Sequence, residues 1–150
     1  SLTYRLLTRP FDMAVLMYQW EFARRLKALP GSEEYGRLAM TAGFFCQVEI
    51  LEKVSKMAFR PVPQVDSAIV RLLPRQDRPP GEAAELIRLA EGLFNNRRKK
   101  VKKGLASLGA RPQDLAGLDP SLLEKRPEEL SSDEAASLVW AISGKRHSPK

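Results

Sequence analysis

Apolar residues recur along this chain with two different periods, and the change between them falls near its middle. Leu2, Leu6 and Leu7 sit at helical spacing and read as the end of a helix that Pro10 stops. Met13-Ala14-Val15-Leu16-Met17-Tyr18 is an unbroken apolar run, the kind that forms a parallel strand buried on both faces. Trp20 to Leu29 predicts a helix with Phe22, Leu26 and Leu29 inward and Arg24, Arg25 and Lys27 largely outward, ended by Pro30-Gly31. A second helix is expected over Tyr35 to Phe45, with Leu38, Ala42 and Phe45 on one stripe. Val48 to Val54 reads as a strand of imperfect alternation, and Ala68-Ile69-Val70-Arg71-Leu72-Leu73 as a β-branched one. The order helix–strand–helix–helix–strand–strand fits the second half of an open α/β sheet that finishes in an antiparallel hairpin.

Pro74-Arg75-Gln76-Asp77-Arg78-Pro79-Pro80-Gly81 is stiff and polar, the chemistry of a linker. Beyond it every periodic stretch is helical. Leu86, Ile87, Ala90, Leu93 and Phe94 form one stripe, and Gly92 with Asn95-Asn96 predicts a break or a kink before Arg97. Val101, Leu105 and Leu108 carry the spacing on to Gly109. Asp119-Pro120 supplies an N-cap followed by proline in the first turn. Ser131-Ser132-Asp133-Glu134 supplies a capping box for a last helix through Leu138, Val139 and Ile142, closed by Gly144. The fold class expected is therefore α/β followed by all-α. The division is an α/β part over 1–74, a linker over 75–81, a helical domain over 82–144 and a basic tail over 145–150.

The chain has 150 residues, 43% of them hydrophobic, enough for a real core. Its formal charge of +7 favours an acidic partner, most simply nucleic acid. Cys46 is the single cysteine, so there is no disulfide framework or cysteine metal cluster. His147 is the single histidine and stands in the charged tail, which argues against a histidine triad or a zinc site, and no metal is expected. No apolar run approaches membrane-spanning length and no signal-peptide pattern opens the chain, so a reducing, cytoplasmic setting is expected.

Two stretches concentrate the candidate chemistry. Met57 to Val70 contains Phe59 followed by Pro61 and Pro63, and two prolines one residue apart hold a stiff loop that feeds directly into a strand. Phe59 either plugs the end of the core or stacks on something flat. Asp66, between that loop and the strand, suits a structural role in which its carboxylate accepts backbone donors, better than a catalytic one. Arg97-Arg98-Lys99-Lys100-Val101-Lys102-Lys103 packs six positive charges into seven residues. On a helix they form a collar around Val101. The collar is either a phosphate-binding surface or a solvated helix face favoured by the macrodipole. Arg25 and Arg37 add charge to the α/β part, and a structural pair of Arg37 with Glu33, Glu34 or Asp66 is as good a reading as RNA contact.

Five motifs in order carry a resemblance. Tyr18-Gln19-Trp20-Glu21-Phe22-Ala23-Arg24-Arg25-Leu26, Gly31-Ser32-Glu33-Glu34-Tyr35-Gly36-Arg37-Leu38, Phe59 through Val70, Phe94-Asn95-Asn96-Arg97-Arg98-Lys99-Lys100 and Arg126-Pro127-Glu128-Glu129-Leu130-Ser131 are similar to successive motifs of the ribosomal RNA adenine dimethyltransferases of KsgA/Erm type. Trp20 stands where that family commonly has lysine and Arg24 where it has glutamate.

The resemblance implies the second half of a Rossmann-like methyltransferase sheet joined to a small helical RNA-recognition domain. It implies dimethylation of adenine in small-subunit ribosomal RNA with S-adenosylmethionine as cofactor, in an enzyme that is a monomer when intact. By resemblance Phe59 is the ring that stacks on the extruded adenine, Pro61 and Pro63 support its loop, and Arg25, Arg37, Arg97, Arg98, Lys99, Lys100, Lys102 and Lys103 meet RNA.

The family's Asn-(Leu/Ile)-Pro-Tyr motif and its glycine-rich cofactor loop do not occur in these residues. The expectation is a C-terminal portion that alone binds no cofactor and transfers no methyl group. Two other readings are a non-enzymatic RNA-binding or ribosome-assembly protein, and a methyltransferase of large-subunit ribosomal RNA.

Overall fold

The computed structural model describes residues 2–78 and 83–143. The first part runs α1 (Leu2–Leu7), β1 (Ala14–Gln19), α2 (Trp20–Leu26), α3 (Arg37–Phe45), β2 (Cys46–Val54) and β3 (Ser67–Pro74). The second runs α4 (Ala83–Asn95), α5 (Val101–Ser107), α6 (Pro112–Leu115), α7 (Pro120–Glu124) and α8 (Ser132–Ser143). Together they make a small α/β domain with helices, built on a three-stranded sheet of order β1-β3-β2.

β3 lies in the middle and is antiparallel to both neighbours. Its alternation places Ala68, Val70 and Leu72 in the core, each fully buried, as a strand half-covered by helices requires. On the other set of positions Arg71 meets Glu49 across the β2–β3 ladder as an ion pair. A register shift between Ile50 and Glu52 marks a bulge in β2.

The Met13–Tyr18 run departs from the expected doubly buried parallel strand. β1 pairs antiparallel with β3, and Val15 and Met17 are about half exposed. Its outward positions happen to be apolar too, and this hid a period of two. α2 ends at Leu26, so Leu29 lies past the helix and is exposed rather than inward. In α4 the buried stripe is Ala83, Leu86, Leu89, Ala90 and Leu93. Leu89 is buried where Ile87 was expected, and Phe94 packs from the flank.

Helix starts follow their caps. Asp119 accepts the Ser121 N–H at 2.9 Å ahead of α7. Ahead of α8, Ser131 Oγ accepts the Glu134 N–H while the Glu134 carboxylate accepts the Ser131 N–H, both at 3.0 Å, a reciprocal box. The Glu134 carboxyl lies below the usual range. Burial pushes it up, but the Lys125 ammonium and the Ser131 N–H outweigh that. Gly144 and the tail 145–150 lie outside the described residues, as do positions 79–82 of the expected linker and helix start.

A continuous apolar cluster runs from Leu7, Ala23 and Leu26 through α3 and α4 to Leu138 and Val139 of α8. Polar contacts fasten the helices beyond β3 to α3 and the loop before it. The Tyr35 hydroxyl donates to the Leu130 carbonyl at 2.6 Å, Ser132 Oγ to the Met40 carbonyl at 3.0 Å, and the Gly31 N–H to the Glu128 carbonyl at 2.7 Å. Gly31 sits at φ +84°, a conformation that favours glycine. A side chain at Gly43 would meet Ser132 Oγ at 2.5 Å, so α3 and α8 approach closely there. Arg78 stacks its guanidinium 4.9 Å from the Phe44 ring centre and pairs with Asp133 of α8, which Arg75 also reaches at 3.4 Å.

Candidate nucleic-acid interface

The connection from β2 to β3 is short of packing but well supplied with local hydrogen bonds. Ser55 Oγ accepts the Met57 N–H at 3.2 Å and starts a 3-10 turn over Lys56–Ala58. Asp66 clasps the loop shut, its carboxylate accepting the Lys56 N–H at 2.9 Å and lying 3.5 Å from the Lys53 ammonium. Those contacts, the Lys56 N–H foremost, hold its carboxyl below the usual range. The Asp66 carbonyl in turn accepts the Trp20 N–H at 2.9 Å, tying the loop to the start of α2. Asp66 is thus structural, as its position suggested.

Arg60 turns back to donate to the Met57 and Phe59 carbonyls at 3.1 and 3.0 Å, and the Arg60–Pro61 bond is cis. On this frame Phe59 is half-buried. Among the described residues Phe11, Phe22 and Phe94 pack on the core cluster, and Phe59 does not join them. Pro61 and Pro63 are exposed beside it, with Met57, Val62 and Val65 exposing apolar surface on the same loop.

The basic run is not one helix. α4 ends at Asn95, residues 96–99 form a turn, and α5 starts at Val101 with Lys100 as its N-cap. The expected collar is therefore divided between a turn and the first turn of a helix, because Asn95-Asn96 end α4 before the charges begin. Val101 is fully buried, and its N–H donates to the Lys125 carbonyl at 2.9 Å. Acidic partners come from the far end of the sequence. Arg97 Nε donates to Glu128 at 2.8 Å, and Glu124 receives both Lys100 and Lys102. Those two ammonium groups, Lys100 first, bring the Glu124 carboxyl down to about 2.

Arg25, Arg37 and Arg97 come together on the walls of an open groove of about 760 Å³ that Glu21, Glu33 and Glu34 also line, with Tyr4 and Phe22 contributing apolar surface. Arg37 pairs with Glu91 at 3.4 Å, rather than with Glu33, Glu34 or Asp66. Glu34 takes Arg24 at 2.6 Å. Its guanidinium groups can donate in pairs to phosphate oxygens, against the negative charge of the three carboxylates on the same walls. S-adenosylmethionine does not find here the glycine-rich turn that its family's cofactor loop supplies, since Gly36 is the single glycine on the lining. The residues lining this groove do not fit that cofactor.

The family model described as ribosomal RNA adenine dimethylase matches residues 2–138. This chain belongs to the ribosomal RNA adenine dimethylase family.

It is 41% identical over 148 residues to the probable ribosomal RNA small subunit methyltransferase A of Methanothermobacter thermautotrophicus, covering 94% of this chain and 53% of that protein. Ribosomal RNA small subunit methyltransferase A of Nitrobacter winogradskyi is 38% identical, with 91% of this chain and 49% of that protein covered. The chain thus spans about half the length of the curated relatives it matches. Among solved structures, a dimethyladenosine transferase from Plasmodium falciparum superposes with a TM-score of 0.81 at 25% identity, over 95% of this chain and 62% of that one.

Within this dimethylase-family chain, motifs far apart in sequence meet in space. The Gly31 motif and the Arg126-Pro127-Glu128-Glu129 motif join through Gly31 N–H and the Glu128 carbonyl, and the same Glu128 holds Arg97 of a third motif. Glu124 and Glu128, which hold side chains of the basic run, are not marked by sequence reasoning. Glu128 stands inside one of the five motifs. Nothing in the local pattern marked Glu124.

Proposed function

We propose that this chain serves an S-adenosylmethionine-dependent dimethyltransferase of adenine in small-subunit ribosomal RNA, and supplies the base-stacking loop and much of the RNA grip. In this reading it forms the second half of a Rossmann-like sheet followed by a helical RNA-recognition domain. The whole enzyme works as a cytoplasmic monomer on the ribosomal subunit. The names of the relatives, which specify the small subunit, support that substrate over large-subunit RNA.

The observation that carries the reading is Phe59, an aromatic ring held on a hydrogen-bonded loop yet left out of the core. The exocyclic nitrogen of adenine has its lone pair delocalised into the ring, so its methylation requires a base taken out of its stack and held while that nitrogen pyramidalises. A ring on a rigid loop can hold the extruded base by stacking, worth roughly 1–3 kcal/mol per base. Pro61 and Pro63 stiffen the backbone that carries it. Arg25 and Arg37 with the basic run Arg97, Arg98, Lys99, Lys100, Lys102 and Lys103 form the surface offered to the phosphates, which carry no base information but fix the register of the RNA.

Transfer of labelled methyl groups from S-adenosylmethionine to unmethylated small ribosomal subunits tests this in the source polypeptide that contains the sequence. Phe59→Ala is expected to lower methylation roughly ten- to hundred-fold, in keeping with the forfeited stacking energy, while RNA affinity falls less. Undiminished transfer would overturn the stacking role. Strong, salt-sensitive subunit binding with no transfer by the wild-type source polypeptide would instead point to a non-enzymatic RNA-binding protein.

A further inference from the structure

Around the turn between α4 and α5 the charged side chains sort into two sets. Glu128 holds Arg97, Glu124 holds Lys100 and Lys102, and Glu134 holds Lys125 at 2.7 Å. Arg98, Lys99, Lys103 and Arg126 are exposed and, among the described residues, pair with no carboxylate. These four, together with Lys100 and Lys102, line a single concavity of about 420 Å³. Every lining side chain is a cation.

The backbone beneath is fixed. The Val101 N–H donates to the Lys125 carbonyl, and the Arg126 N–H is held at 2.6 Å by the Glu129 carboxylate. Arg126 is therefore held beside the basic run although it stands outside it in sequence. Like charges gathered this way are tolerated in solvent because salt screens them, and they are relieved most by an anion that spans several of them. An exposed row of cations suits an extended polyanion better than a small phosphate, which needs converging donors in a closed cradle.

We propose that this concavity is a seat for RNA backbone phosphate in which Arg98, Lys99, Lys103 and Arg126 neutralise charge. Glu124 is a positioning residue that holds Lys100 and Lys102 on the wall and keeps them partly neutralised. The proposal rests on the reading above that the chain binds RNA. It adds Arg126, outside the basic run, and takes Arg97, Lys100 and Lys102, each held by a carboxylate, out of the set that carries salt dependence.

Binding of a fluorescein-labelled RNA hairpin to the full chain, titrated across a salt series, separates the possibilities. Removing one cation from the phosphates lowers the slope of log K against log salt by about one. Arg126→Gln and Lys103→Gln are each expected to lower it by that amount, and Arg126→Lys to restore it. Glu124→Gln is expected to steepen the slope by releasing Lys100 and Lys102, whereas Glu124→Asp keeps it. A wild-type slope in both Arg126→Gln and Lys103→Gln, with the melting temperature unchanged, overturns the seat. A wild-type slope in Glu124→Gln overturns the positioning role. Hairpin binding by the wild-type chain with no salt dependence fails the RNA-binding reading itself, an outcome distinct from failure of the seat alone.

Discussion

The Phe59 loop and the basic turn before α5 are two candidate contact surfaces supported in opposite ways. The loop is clasped by backbone hydrogen bonds to Asp66 and Ser55 and exposes Met57, Val62 and Val65 around its aromatic ring. Little apolar surface there is buried, so little stability is at stake in its side chains. The basic turn sits over Val101 and Leu105, both fully buried, and its charges are partly tied down by Glu124 and Glu128. A surface that must receive a flat apolar base needs an exposed ring on a stiff frame. A surface that must receive phosphate needs unpaired charge on an anchored backbone. Substitutions at the two places should therefore separate folding from binding in different ways.

The largest effect on folding is expected from Val101→Ala, which empties a buried site beneath the basic turn and costs about 2 kcal/mol. Phe59→Ala, though it removes a larger side chain, should leave the thermal melt close to wild type, because Phe59 is only half-buried and stands apart from the core cluster. Chemical denaturation of both variants checks the pair. If Phe59→Ala proves as destabilising as Val101→Ala, the ring is a core plug and the comparison collapses.

Next in size is Tyr35→Phe. Tyr35 is 1% exposed, burial pushes its hydroxyl up to about 12, and that hydroxyl donates to the Leu130 carbonyl at 2.6 Å. Removing it leaves a buried carbonyl without that donor, at a cost of about 1–2 kcal/mol. Tyr35 borders the groove of Arg25 and Arg37, but its hydroxyl is spent on the Leu130 carbonyl inside the fold, so denaturation should register the change while RNA binding, corrected for the folded fraction, does not.

The sequence made some of this readable and hid the rest for physical reasons. Caps are local, so Asp119-Pro120 and the Ser131–Glu134 box marked helix starts, and Asn95-Asn96 marked the end of α4 ahead of the charges. Asp66 was read as a turn residue on the same local grounds. β1 conceals its pairing because Val15 and Met17 are apolar on the outward face as well, and an apolar run does not reveal which side is covered. Leu29 departs from its expected inward place because the helix stops one turn before Pro30-Gly31. The partners of Arg97, Lys100 and Lys102 could not be read, since Glu124 and Glu128 lie more than twenty residues away and only tertiary packing brings them near. Arg37 found Glu91 for the same reason.

The smallest effect is the most informative about the basic turn. In the folded chain the Glu124 carboxyl is brought down to about 2 by Lys100 and Lys102, while in the unfolded chain it has the ordinary value of about 4.3. A carboxyl whose folded value is depressed stabilises the fold fully above its unfolded value, and that contribution drains away as pH falls toward its folded value. Wild type should therefore melt slightly above Glu124→Gln at neutral pH, with the gap starting to close near pH 4 and nearly gone by about pH 2. The same substitution is expected to steepen the salt dependence of RNA binding, so stability and binding move in opposite directions at one residue. A solvated ion pair with no part in setting the charge of the turn would show the pH-dependent gap alone. Both effects together would mean that Glu124 stabilises the fold and limits the charge left for RNA, and that the unpaired set, Arg98, Lys99, Lys103 and Arg126, carries the contact.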